Sequence, residues 1–101
     1  MIRHVEDDIM NLVLEHDLIA SNVKTLNIKL MEYIDEFEDV SEIILDMNKV
    51  ENIDSVGVTF VINLYKSVTR EGTNFRVTHC SSDIRQLFKL MKLEDFFDLE
   101  E

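Results

Sequence analysis

The sequence predicts an α/β domain with a mixed β-sheet of four to five strands and with helices packed mainly on one face. Short apolar runs of strand length alternate with segments in which apolar residues recur every three or four positions, in the order ββαβαβα followed by a tail. Strand–helix–strand units connect parallel strands, whereas the first two strands are close enough to form an antiparallel hairpin. The 101 residues, 46% of them apolar, include no proline and two glycines, so we expect one domain over residues 1–101.

The first half of the chain contains a predicted hairpin and a predicted helix. The apolar runs IRHV (2–5) and IMNLVL (9–14) are separated by acidic residues, which is typical of two strands joined by a turn. A helix is expected over residues 21–37, with Ser21 or Asn22 accepting hydrogen bonds from its free N–H groups. The apolar residues at helical spacing are Val23, Leu26, Leu30, Tyr33, Ile34 and Phe37.

Two further strands enclose a second helix. EIILDM (42–47) and NFRVTHC (74–80) are apolar runs of strand length. The helix between them is predicted from about residue 56 to residue 71. Its expected buried face comprises Val61, Ile62, Tyr65 and Val68. Gly72 is expected to end it in the left-handed conformation, because glycine has no Cβ to clash there.

A third helix and a tail complete the chain. Ser81 or Ser82 is expected to cap the helix. The residues expected to face the core are Ile84, Leu87, Phe88 and Met91. The last segment, EDFFDLEE (94–101), is expected to form an amphipathic end.

The charge of the chain restricts its partners. The formal net charge is −11. Such a charge repels nucleic-acid phosphates and anionic lipid headgroups, so neither nucleic acid nor a membrane is expected as a partner, whereas a basic protein surface is favoured. No apolar run approaches the roughly 18 to 20 residues of a membrane span, and the N-terminal residues MIRHVEDD lack an apolar signal core. A cytoplasmic location is therefore expected.

Residues that carry catalysis or bind metals are sparse. Cys80 is the single cysteine and is expected to be a small buried apolar residue. The three histidines lie far apart and lack the spacing of a metal site. A small enzyme that used Asp54 and Ser55 would have no evident base. We therefore expect no catalytic residue, no metal and no cofactor.

The segment NIDSVGV (52–58) interrupts two apolar elements and has two interpretations. Asp54 and Ser55 stand at the start of the second helix, where either side chain can accept hydrogen bonds from free N–H groups, so capping alone explains both. Gly57 in the first turn costs up to about 1 kcal/mol relative to alanine, which indicates that another backbone or a partner comes close. These residues are consistent both with a docking site for a partner and with a plain helix cap.

Residues 44–97 resemble a STAS domain of the kind found in bacterial anti-sigma-factor antagonists. That family shows a strand ending in Leu-Asp, then Asp-Ser-x-Gly before an apolar helix, a glycine turn, a serine at the start of the next helix and a late apolar pattern. The matching residues here are Leu45-Asp46, Asp54-Ser55-Val56-Gly57, Gly72, Ser82, Leu87-Phe88 and Leu93.

The resemblance implies a phosphorylation switch. In the family, the serine after the aspartate, here Ser55, is phosphorylated by the anti-sigma factor, which is itself a serine kinase. The unphosphorylated form binds that kinase and releases the sigma factor, and a serine phosphatase resets the switch. The residues expected to bind the partner are Asp54, Ser55, Val56 and Gly57. A phosphoserine carries about −1.5 to −2 charge, which disfavours a desolvated interface.

Three positions depart from the family pattern. Ile19 stands where the family often has an aspartate, in the segment His16-Asp17-Leu18-Ile19. Val56 replaces a common serine or threonine, and Thr59 replaces a second glycine. The alternative interpretation is a STAS interaction module that does not switch and belongs to a larger signalling or transport assembly.

Overall fold

The computed structural model describes residues 1–100, except for the side chain of Glu100. Its strands are β1 (Ile2–Glu6), β2 (Ile9–Val13), β3 (Glu42–Asp46), β4 (Asn74–Thr78) and β5 (Asp98–Glu100). Its α-helices are α1 (Ala20–Met31), α2 (Ser55–Arg70) and α3 (Ser82–Leu90), and short 3-10 helices span Ile34–Asp39 and Leu93–Asp95. The predicted α/β class and the predicted order of the first seven elements are confirmed.

The five strands form one mixed sheet in the order β1-β2-β3-β4-β5. The β1–β2 pair is antiparallel and the other three pairs are parallel. Side chains alternate between two faces, and one face is buried. Its buried residues are Met10, Leu12, Ile43, Leu45, Phe75 and Val77. They form one core with buried residues of all three helices, so the expected packing of helices mainly on one face is confirmed.

The first helix is shorter than predicted. α1 ends at Met31, and the chain continues into the 3-10 helix Ile34–Asp39, whose Phe37 is fully buried. The prediction that one helix extends to residue 37 is wrong because the following residues are mostly acidic. Negative charge at a helix C-terminus opposes the helix dipole, so further extension is disfavoured. Arg3 neutralises part of this charge, since its Nη1 lies 2.9 Å from Glu36 Oε2.

The C-terminal residues supply the fifth strand of the sheet. The predicted amphipathic end contains β5, which pairs in parallel with β4. Its formation depends on Phe97, which is buried and packs edge-on against Phe75 and Phe88 at centroid distances of 5.5 and 6.1 Å. Met91 was expected in the core but is 44% exposed, because α3 ends one residue before it.

Two predicted helix ends are confirmed. Gly72 has φ 78°, and its N–H donates to Thr69 O at 3.0 Å while Thr73 N–H donates to Val68 O at 3.3 Å. This pair of bonds is the Schellman motif, which satisfies carbonyls at the end of α2. At the start of α3, Ser81 Oγ accepts from Ile84 N–H at 3.3 Å.

Cys80 is buried, as expected. Burial raises the pKa of its thiol to about 11, so it is protonated and a poor nucleophile at neutral pH. None of the helices among residues 1–100 is both long enough and apolar enough to cross a membrane.

The buried face of α2 is rotated relative to the predicted one. Val61 and Val68 face the core as expected, but Ile62 is only partly buried, whereas Leu64 is 1% exposed. Ile62→Ala is therefore expected to lower the free energy of unfolding by only about 1 kcal/mol, at about 0.8 kcal/mol per fully buried CH₂ group. Leu64→Ala, the matched control, should cost about 2 to 5 kcal/mol. Denaturant unfolding measures both, and a larger loss for Ile62 would contradict this geometry.

Candidate functional site

The segment between β3 and α2 is held against a second segment that precedes α1. Leu18 N–H donates to Asn52 O at 3.0 Å, and Asp54 N–H donates to Leu18 O at 3.1 Å. Leu18 and Ile53 form an isolated parallel β-bridge. Because both segments follow parallel strands, their ends meet at the same edge of the sheet, which is where sites in open α/β folds collect.

Asp54 caps two helices at once. Its Oδ1 accepts from Gly57 N–H at 2.9 Å in the first turn of α2, and its Oδ2 accepts from Ala20 N–H at 2.9 Å at the start of α1. The residue at the N-cap of α1 is Ile19, which provides no capping side chain. The predicted cap by Ser21 or Asn22 is therefore wrong, and Asp54 supplies that cap from 34 residues away.

This double cap makes the stability of the fold depend on pH. The hydrogen bond from Gly57 N–H, followed by that from Ala20 N–H, lowers the pKa of the Asp54 carboxyl. A group with a depressed pKa in the folded state stabilises the fold above its unfolded pKa of about 3.9, and this stabilisation is lost as pH falls through the folded value.

Asp54→Asn is therefore expected to be less stable than the wild type at pH 7, because the neutral amide has one acceptor oxygen for two N–H groups. The difference should shrink as pH falls below about 4, because the unfolded chain then takes up a proton at Asp54 first, and it is lost as pH falls through the lower pKa of the folded state. Urea unfolding of both proteins at pH 7 and at pH 3 measures it. A difference that stays constant between the two pH values would contradict the role of the charge.

Asp17 fixes the approach to the site and is absent from the predicted site residues. Its Oδ1 accepts from the N–H groups of Glu51 and Asn52 at 2.8 and 3.2 Å, and its Oδ2 accepts from Asn52 Nδ2 at 2.9 Å. The Asn52 amide and then the Glu51 N–H lower the pKa of Asp17. The signal available in the sequence is that Asp17 lies in the segment His16-Asp17-Leu18-Ile19, which was compared with the family pattern only at Ile19.

Gly57 is buried against the chain's own backbone. A Cβ at this position would lie 2.0 Å from Leu18 O and 2.9 Å from Ile53 Cγ1. The predicted close approach of a backbone is therefore present, and it comes from the segment before α1. Direct contact between Gly57 and a partner stays a prediction. The residues of this segment that are exposed to a partner are Ser55 and Val56.

Ser55 is the first residue of α2 and is exposed. It lies at one end of an open apolar groove of about 380 Å³ between α2 and α3, which we call the Ser55 groove. The apolar residues that line it are Ile53, Val58, Ile62, Leu87 and Met91. Three of these, Ile62, Leu87 and Met91, were predicted as core residues. Val56 is 43% exposed but does not line the groove.

The predicted site residues and the departures from the family pattern lie close to the start of α2 or of α1. Asp54 and Ser55 lie together at the groove and Val56 is exposed beside them, whereas Ile19 lies at the start of α1. Thr59 is one turn along α2, and its Oγ1 donates to Ser55 O at 3.0 Å. Within the described part of the chain, no group of three or more His, Cys, Asp or Glu side chains could hold a metal ion.

Known structures share this fold. TM1081 of Thermotoga maritima, assigned as an anti-sigma factor antagonist, is 22% identical with a TM-score of 0.83 over 98% of this chain and 84% of its own. The phosphorylated form of the Bacillus cell fate determinant SpoIIAA is 19% identical with a TM-score of 0.71, over 95% and 86% of the two chains. A sulfate transporter family protein from Wolinella succinogenes is 15% identical with a TM-score of 0.77, over 96% and 80%.

These identities are low, so the likenesses show the fold alone. Among curated protein sequences, none matches this chain significantly. The family model of the STAS domain matches residues 2–101, which is nearly the whole sequence. The resemblance carried by the Asp54-Ser55-Val56-Gly57 segment is thus supported by a match that also includes β1 and β2. The chain belongs to the STAS domain family.

Proposed function

We propose that this protein is an anti-sigma-factor antagonist that binds an anti-sigma factor of the serine-kinase type and is switched off by phosphorylation of Ser55. The unphosphorylated form binds the kinase, so that the sigma factor is released, and a serine phosphatase restores that form. The protein acts as an interaction module without catalytic activity of its own, in the cytoplasm, as one STAS domain over residues 1–101.

One observation carries the proposal. The Ser55 hydroxyl is exposed at the rim of an apolar groove, on the first residue of a helix whose start is held by Asp54. A kinase needs an accessible hydroxyl, and a partner needs an apolar surface beside it. Ser55 satisfies both conditions, because its neighbours in the groove are Ile53, Val58 and Ile62.

The neighbouring carboxylate explains how a phosphate would act as a switch. Helix N-termini attract anions through free N–H groups. Here Asp54 already accepts from Gly57 N–H, the donor that a phosphate on Ser55 would otherwise use. The phosphate would add about −1.5 to −2 charge beside this carboxylate and at the edge of the apolar groove. Docking would then require that charge to be desolvated, so the phosphorylated form should bind poorly.

Phosphate on Ser55 is expected in protein recovered from its own host together with bound partners. Cleavage after lysine yields the peptide 50–66, which contains Ser55, Thr59 and Tyr65 as its hydroxyl-bearing residues. Fragmentation mass spectrometry of this peptide distinguishes the three positions. Ser55→Ala protein is the control and should carry no phosphate there. Peptide found only in the unmodified form, under conditions in which the bound kinase is active, would contradict the switch.

A STAS module that does not switch is the second candidate. The transporter-family structure of Wolinella succinogenes has the same fold, and so does a part, 14%, of the chain of the murine anion transporter Slc26a9, with a TM-score of 0.75 over 87% of this chain. Val56 and Thr59, which depart from the antagonist pattern, both lie in the first turns of α2. This candidate keeps partner binding at the Ser55 groove and has no phosphate on Ser55, so the same mass spectrometry separates the two.

A further inference from the structure

Two further depressions follow the Ser55 groove along α2, and each shares lining residues with the one before it. A second depression, of about 280 Å³, shares Ile62 with the Ser55 groove and extends to Phe96. A third, of about 330 Å³, shares Phe96 with the second and extends to Thr69, and it is the most polar of the three because Glu42, Asn74 and Asp98 also line it. We call the three together the α2 groove.

One stripe of α2 forms the floor of this groove. Ser55, Thr59, Ile62, Lys66 and Thr69 line its successive parts and follow one another at steps of four and three residues, so they lie on one face of the helix. Most core-facing residues of α2 occupy a different face; they are Gly57, Phe60, Val61, Leu64 and Val68, whereas the buried Val58 also lines the groove. From Ser55 to Thr69 the stripe is about 21 Å long, at 1.5 Å per residue. This length corresponds to a partner helix of about 14 residues.

An exposed aromatic side chain, Phe96, lies where the second and third parts of the groove meet. Phe96 is 59% exposed, yet its ring packs edge-on against Tyr65 at a centroid distance of 6.1 Å. The adjacent Phe97 is buried and contacts Tyr65 at 5.7 Å, so it holds this segment in place. A large aromatic side chain that is exposed but already ordered loses little entropy on binding, and such residues dominate the energetics of interfaces.

The charged residues along the groove indicate which kind of molecule binds there. Asp54 lines the groove at one end, Asp98 and Glu42 (which pairs with Arg76) line it at the other, and Lys66 lies between them. Glu94 and Asp95, which precede Phe96 in the chain, are exposed and add negative charge near that end. A helix with basic residues at both ends and an apolar face between them complements this arrangement. A second copy of the chain is disfavoured by its charge of −11, and an anionic acyl chain is disfavoured by the acidic ends.

We propose that the α2 groove binds an amphipathic helix of about 14 residues from the protein partner, with basic residues at both ends of that helix. This inference deepens the proposed function, because it names the element of the same partner that docks. It rests on the proposed function only for the identity of the partner and is independent of phosphorylation. Helix-in-groove recognition of this kind reads apolar side chains at steps of three and four.

A synthetic peptide tests the groove directly. The probe is a fluorescein-labelled 14-residue helix with leucines at steps of three and four and two lysines at each end. Saturable binding to the full chain is expected by fluorescence anisotropy, and NMR shift changes should follow the stripe from Ser55 to Thr69. Ile62→Asp and Phe96→Asp should each weaken binding at least about 10-fold, as expected for loss of an apolar anchor. Ile28→Asp is the matched control, because Ile28 is an exposed apolar residue on α1 and should leave affinity unchanged.

Three results would overturn the proposal. They are the absence of saturable binding, equal affinity of the two groove variants and the wild type, and equal binding of a peptide with two glutamates at each end. Self-association of the wild type that Phe96→Asp abolishes, without peptide binding, would assign the groove to a second copy instead. The NMR map on wild-type protein does not depend on whether the variants fold. Because the peptide has no kinase activity, its binding tests the groove alone and does not test the phosphorylation of Ser55.

Discussion

Ser55→Asp is expected to weaken binding of the kinase-type anti-sigma factor by roughly 10- to 100-fold, while the fold stays intact. The aspartate places a fixed negative charge beside Asp54 and at the rim of the groove, and a tenfold loss corresponds to about 1.4 kcal/mol. It carries less charge than a phosphate, so a partial effect is consistent with the switch. Ser55→Ala should bind like the unphosphorylated wild type and should remain bound when the kinase is active.

Calorimetric titration with the partner recovered from the host measures these affinities. Ser82→Asp is the matched control, because Ser82 is the exposed first residue of α3, as Ser55 is of α2, and does not line the Ser55 groove. An acid at either position is compatible with the helix dipole, so both variants should unfold at nearly the wild-type midpoint. If Ser55→Asp and Ser55→Ala both bind and respond to the kinase as the wild type does, Ser55 is only a helix residue and the switch is wrong.

Gly57→Ala is expected to destabilise the fold by about 3 kcal/mol or more, the upper range for overpacking of a buried site. The new Cβ would lie 2.0 Å from Leu18 O and 2.8 Å from Leu18 C, so a backbone segment has to move. Helix propensity alone predicts the opposite sign, because alanine is favoured over glycine by up to about 1 kcal/mol. Since Leu18 O also accepts from Asp54 N–H, the same shift should loosen the double cap.

Gly72→Ala is the control for this substitution. A Cβ at Gly72 would meet no atom within 4 Å, and the substitution is unfavourable only because φ is +78°. It should cost about 1 to 2 kcal/mol, the penalty of the left-handed conformation for other residues. Denaturant unfolding measures the free energy of unfolding of both variants. Gly57→Ala tests the lack of space for a Cβ, and Gly72→Ala tests the need for a positive φ. Equal losses of unfolding free energy for the two variants, or a gain for Gly57→Ala, would show that the segment before α1 moves to accommodate the new Cβ.

Features that depend on neighbouring residues were predictable from the sequence. The β2 and β3 strands, the left-handed end at Gly72 and the cap at Ser81 follow from local patterns of apolar, glycine and serine residues. The exposed position of Ser55 at the start of α2 also follows, because a polar turn precedes an apolar helix there. Local steric and hydrogen-bonding preferences act over a few residues, and the sequence states them directly.

Features that join distant segments were decided by the tertiary structure. Asp54 reaches Ala20, and Leu18 restricts Gly57, only because the parallel sheet brings the segments that follow β2 and β3 to one edge. The strand β5 forms from a sequence of low strand propensity because Phe97 is buried among aromatic rings. Ile62 has the spacing of a core residue but lines a groove, because the side chains packed against α2 determine which of its apolar residues are covered. Periodicity specifies that a face is apolar, whereas the surface that covers it depends on how the other elements pack.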